Sequence, residues 1–210
     1  MRVFGIITLV LALAIVPGST TAQLSPRASL IPINNVDFDD RALNILAALA
    51  DRYKVVVGVY GILRGDDSGT IKISIRKGTL KDVLDALVNQ DARFEWSQSA
   101  DGSIHVSIKQ APLSLAAVKV SSLDIENPKR IDAAQLLSRV PEVSSWLQQH
   151  GCSMDEMLAG PPPRDWGHFS VRIIDRPLSG VLDEIAARSG TYFWSVIQYN
   201  DQPCFINVRP

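Results

Sequence analysis

The residues of this chain able to do chemistry are three histidines, two cysteines, a cluster of aspartates and one proline-bounded segment carrying Arg, Trp and His. His105, His150 and His168 could serve as general bases or metal ligands. Their neighbours place His105 at an outward-facing strand position, His150 near a helix end and His168 in a loop. No nucleophile elbow, zinc helix, phosphate loop or dinucleotide fingerprint accompanies them. The chain therefore reads as a non-enzyme, with no catalytic residue, cofactor or metal assigned.

The even cysteine count has a different meaning. In an oxidising compartment Cys152 and Cys204 suggest a disulfide closing a loop of about 50 residues; two separately buried thiols are the alternative. With no histidine at ligand spacing on the same element, the pair does not make a zinc site. The segment Pro161 to His168 holds three consecutive prolines, then Arg164, Trp166 and His168. Such extended, low-entropy chain suits docking, so Arg164, Trp166 and His168 are the candidate contacts for a partner or ligand. The alternative is a stiff connector whose Trp166 folds back on its own domain. Asp37, Asp39 and Asp40 could gather a cation, but helix capping accounts for them with fewer assumptions.

The N-terminus carries an address. Arg2 precedes an apolar run from Val3 to Val16, followed by small residues ending at Ala22. This is the order of a secretory signal, and the run is shorter than the roughly 20 residues that span a bilayer. Cleavage after Ala22 is expected, giving an exported protein without direct membrane insertion; an uncleaved N-terminal anchor is the alternative. Lys and Arg number 21 against 22 Asp and Glu, a balance that offers no electrostatic case for nucleic acid.

These groups must be positioned by a repeat. Ile71 to Ser97 lies on Phe169 to Ser195 without a gap. Leu80 falls on Leu178, Val83 on Val181, Leu84 on Leu182, Asp85 on Asp183, Trp96 on Trp194 and Ser97 on Ser195. The shared period runs strand, helix, strand. In the first copy Ile71, Ile73 and Ile75 alternate with polar residues, Thr79 and Asp82 have capping-box spacing, and Leu80, Val83, Leu84 and Leu87 recur at helical spacing. Asp101-Gly102 signals a hairpin before a strand from Ile104 to Ile108. Upstream, Val36 to Phe38 reads as a short strand. Leu43, Leu46, Ala47 and Ala50 form a helix stripe, widened by Ile45 and Leu49 and introduced by Asp39 or Asp40, and Val55 to Val59 is a strand covered on both faces. Gly61 to Gly69 reads as a polar turn. Val118 to Leu123 is a further strand, and Ile131 to Leu158 is helical in pieces. Tyr192 to Tyr199 and Cys204 to Val208 close a second hairpin. Trp96 and Trp194, at equivalent places, are expected to be core anchors rather than a paired ligand site.

FDDRALNILAALADRYKVVVGV, followed by IKISIRKGTLKDVLDALVNQDARFEW and a hairpin, resembles the short N-terminal domain shared by secretins and TonB-dependent transducers. Leu43, Leu46 and Leu49 match that family's first helix; Leu80, Val83, Leu84, Asp85 and Leu87 match its second. The match spans Val36 to Ile108 and is weaker from Val118 to Arg209. The resemblance implies an α+β fold of two βαβ-type modules with helices packed on small mixed sheets. It also implies a role in protein–protein contact in the periplasm, and it brings no catalytic residues. The expected organisation is a signal peptide over 1–22, a linker over 23–35, a first module over 36–110 and a second, with a helical insertion, over 111–210. The expected function is an interaction module, accessory to an outer-membrane machine or signal relay, whose partner is an envelope channel, receptor or regulator. A small-ligand sensor binding between the modules is the alternative.

Overall fold

The computed structural model describes residues 27–63, 69–109, 114–126, 133–154, 169–199 and 204–209. The signal segment, the turn after Leu63, and Arg164, Trp166 and His168 lie outside them. The fold is α+β, as expected, and the repeat governs it.

The first copy begins with a 3-10 turn, Ala28–Leu30, leading into β1 (Pro32–Asp40). It continues through α1 (Ala42–Tyr53), β2 (Val57–Leu63), β3 (Ile71–Thr79), α2 (Leu80–Gln90), β4 (Phe94–Gln98) and β5 (Ile104–Ile108). A second 3-10 turn, Ser114–Ala117, opens the second copy: β6 (Lys119–Glu126), α3 (Ala133–Ser138), α4 (Pro141–Gln149), β7 (Cys152–Met154), β8 (Ser170–Pro177), α5 (Leu178–Ser189), β9 (Phe193–Tyr199) and β10 (Cys204–Arg209). In each copy the outer strands form a two-stranded antiparallel ribbon, β1 with β3 and β6 with β8. Even a single backbone bond is repeated: Leu80 N–H donates to Ile31 C=O at 2.9 Å and Leu178 N–H to Val118 C=O at 2.8 Å.

The remaining strands form one six-stranded sheet in the order β4-β5-β2-β9-β10-β7. In the first half β4 is antiparallel to β5 and β5 parallel to β2; in the second, β9 is antiparallel to β10 and β10 parallel to β7. The halves are thus the same three-strand unit twice. They are joined where the edge strand β2 of one runs parallel to the edge strand β9 of the other. Side chains alternate between the faces of a strand, and this alternation separates two cores. Val57 and Val59 of β2, Ile104 and Val106 of β5 and Ile197 of β9 pack with α1 and α2 through Leu46, Leu49, Leu84 and Leu87. Trp194 and Val196 of β9 pack with α5 and α4 through Leu178, Leu182, Ile185 and Val143, and Tyr60 of β2 packs against them. The helices of the two copies therefore cover opposite faces of a shared sheet. Among the described residues no helix is long and apolar enough to cross a membrane.

Several local expectations hold. Asp82 accepts from the Thr79 N–H at 2.7 Å and hydroxyl at 2.9 Å, the reach-back half of a capping box. Gly102 takes the positive φ, 98°, that the hairpin needs. Others need correction. Residues 23–35 are not all linker, because Ala28 and Ile33 are buried and β1 starts at Pro32. The aspartates do not occupy the N-cap of α1; Arg41 does, and Asp40 instead accepts from the Arg41 N–H and the Asn44 amide. The polar turn begins later than Gly61, since β2 runs on to Leu63 beside β9. Within the expected helical stretch, Cys152–Met154 is a strand, held by parallel pairing to β10 rather than by local preference.

Candidate functional site

The chemistry-bearing side chains that the fold brings together lie where the two copies join. One row across the sheet reads His105 of β5, Gly58 of β2, Trp194 of β9. Because Gly58 has no side chain, the His105 and Trp194 rings meet over it, edge to face, with centroids 5.7 Å apart. A Cβ at Gly58 would fall 2.1 Å from the Trp194 ring. Tyr60, two residues on and so on the same face, lies nearly parallel to Trp194 at 6.2 Å and edge-on to His105 at 6.1 Å.

Asp183, in the second turn of α5, sits above this cluster. It accepts from the Trp194 indole N–H through Oδ1 at 2.7 Å and pairs with His105 Nε2 through Oδ2 at 2.9 Å. Its side chain is 6% exposed and that of His105 16%, so both carboxylate oxygens are engaged away from bulk water, as a buried carboxylate requires. Burial pushes the Tyr60 hydroxyl pKa up, while a hydrogen bond with Ser107 opposes the shift. His105 is thus not the outward residue its strand position suggested. The face that points away from its own core is covered by the other copy's α5.

The equivalent groups in the first copy repeat half of this arrangement. Trp96 Nε1–H donates to Asp85 Oδ1 at 2.9 Å. The second oxygen of Asp85 takes Lys81, one turn earlier on α2, and the Asp85 side chain is 39% exposed. Trp96 is half-buried where Trp194 is fully buried. The expectation of two core anchors therefore holds fully for Trp194 and in part for Trp96.

Of the other singled-out residues, Cys152 and Cys204 are direct register partners on the parallel strands β7 and β10. Neighbouring strands lie about 4.8 Å apart, inside the Cα range of a disulfide. His150 follows α4 and stacks on Trp146 at 4.0 Å. Asp39 pairs with Lys72 at an exposed site, where an ion pair adds little stability. Among the described residues no group of three or more His, Cys, Asp or Glu side chains is arranged to hold a metal.

Sequence reasoning passed over Gly58, Tyr60 and Asp183. The signals available were a glycine inside an otherwise β-branched strand and an aspartate retained at the same place in both copies. No protein-family model, curated protein or solved structure matches the chain.

Proposed function

We propose that this chain is an exported periplasmic protein–protein interaction module. It is accessory to an outer-membrane machine or signal relay of the secretin or receptor type and has no enzymatic activity of its own. One observation carries the reading: the molecule recognises itself by strand addition, β2 of one copy completing the sheet of the other beside β9. A unit that docks a like unit through a sheet edge has the means to dock a partner the same way. The element order of the first copy also agrees with the resemblance to the secretin and TonB-transducer domain. The small-ligand alternative places its ligand between the modules near Trp166, which lies outside the described residues.

The test is affinity capture with the tagged chain from gently solubilised envelopes, followed by mass spectrometry. Specific retention of a channel, receptor or transmembrane regulator is expected. A blank from a folded bait rejects the reading.

A further inference from the structure

The repeat lets each surface of one copy be compared with its counterpart in the other. β9 is flanked by β10 on one side and β2 on the other; its counterpart β4 has β5 on one side and, among the described residues, no strand on the other. The edge of β4 is thus the same surface that β2 covers in the second copy. It carries the same Asp–Trp pair, with Asp85 under the Trp96 indole at 2.9 Å, and Trp96 is left half-exposed. What β2 supplies at the covered edge is specific: a glycine opposite the tryptophan, without which a Cβ would strike the ring at 2.1 Å, and Tyr60 two residues on, parallel to the indole.

We propose that the open edge of β4 binds a strand of a partner polypeptide, running parallel to β4, with glycine opposite Trp96 and an aromatic residue two positions later. This rests on the contact-module reading and specifies its surface. Among the described strands, no strand of a second copy is free to fill this place. β2 already has strands on both sides, and β7, at the other end of the sheet, consists of Cys152, Ser153 and Met154, with neither glycine nor an aromatic residue. The first copy is also equipped to stand open. Lys81 supplies the second donor to Asp85 from its own helix, whereas Asp183 obtains that donor across the junction from His105. The edge can therefore accept and release a strand without leaving a buried carboxylate unpaired.

The probe is a synthetic peptide carrying this chain's own residues 55–62, VVVGVYGI, with two lysines at each end for solubility. It is added to the intact protein and followed by hydrogen exchange and mass spectrometry. Exchange across Phe94–Gln98 is expected to slow by about tenfold or more at saturation, with a blue shift of tryptophan emission. The same peptide with Gly58→Val is expected to leave both unchanged. No slowing at β4 in a folded protein, equal slowing by the two peptides, or slowing at β7 instead overturns the proposal. Because the substitution is in the probe, misfolding of the protein cannot imitate a negative result. The envelope capture separates this proposal from the function it rests on. A partner retained but not displaced by the glycine peptide leaves the contact-module reading standing and removes β4 as its surface. A partner displaced by the glycine peptide and not by the valine peptide supports both.

Discussion

Gly58→Ala tests the junction with the smallest change available. The backbone at Gly58 is outside the positive-φ region, so alanine brings no conformational penalty and, by restricting the unfolded chain, stabilises by about 0.4–1 kcal/mol. Against this, its Cβ meets the fully buried Trp194 at 2.1 Å, where ordinary carbon contacts begin near about 3.5 Å. The ring must move by more than about 1 Å, and inserting a methyl into a packed core costs about 1–3 kcal/mol. That movement also lengthens the 2.7 Å bond from Trp194 to Asp183, and a hydrogen bond to a charged group contributes about 1.5–3 kcal/mol. The net expectation is a loss of about 2–5 kcal/mol, or roughly 5–15 °C in Tm for a protein of this size. Urea denaturation followed by circular dichroism measures it. The decisive control is Trp194→Leu. By removing the ring that the methyl strikes, it should make the double variant less destabilised than the sum of the singles by at least about 1 kcal/mol. A Gly58→Ala stability within about 0.5 kcal/mol of the parent, or strict additivity with Trp194→Leu, refutes the geometry of the junction.

Other expectations follow from the same structure. His105→Ala strands one oxygen of the buried Asp183 and should cost about 1–3 kcal/mol by the same assay. Cys152 and Cys204 should form a disulfide in protein recovered from an oxidising compartment, seen as two thiols titrating only after reduction. For a loop of about 50 residues, reduction should lower stability by about 4 kcal/mol on the chain-entropy account. Thr79→Ala should cost about 1 kcal/mol as a lost cap. The Thr79 N–H and hydroxyl hold the Asp82 carboxyl below its ordinary 3.8. Its contribution is thus complete above that pH and is lost as pH falls through the lower folded value, so Asp82→Asn should flatten that part of the acid limb of a stability–pH curve.

What could be read from the residue order was local. The capping box at Thr79, the Asp101-Gly102 hairpin, the stripe of α2 and the strand–helix–strand repeat depend on neighbours a few positions apart. Each stands where its spacing placed it. The short strand β7 was hidden because three residues in a helical setting have no period to display, and only their pairing with β10 makes them a strand. The junction was hidden for a related reason. His105 and Asp183 are 78 positions apart, and their meeting depends on which edge of one unit takes the other. Alternation alone placed His105 on the face away from its own core, which is correct. It could not tell that this face would be covered by α5.

The two copies differ most usefully at one helix position. Lys81 in α2 serves Asp85 from one turn away, and its counterpart in α5 is Ser179, which offers no cation. Asp183 therefore draws on His105, and the second copy depends on the first in a way that is not reciprocated. Restoring the missing residue should weaken that dependence. In a Ser179→Lys chain the new ammonium stands at the i, i+4 spacing to Asp183 that Lys81 has to Asp85, so either side chain can serve the second oxygen. The cost of His105→Ala, about 1–3 kcal/mol in the parent, should then fall below about 1 kcal/mol, close to that of an i, i+4 exchange on a helix surface. A double-mutant cycle by urea denaturation reads this directly. An unchanged penalty for His105→Ala in the Ser179→Lys background means that His105 acts through its packing against Tyr60 and Trp194 rather than through the carboxylate. The asymmetry between the copies would then lie in shape and not in charge.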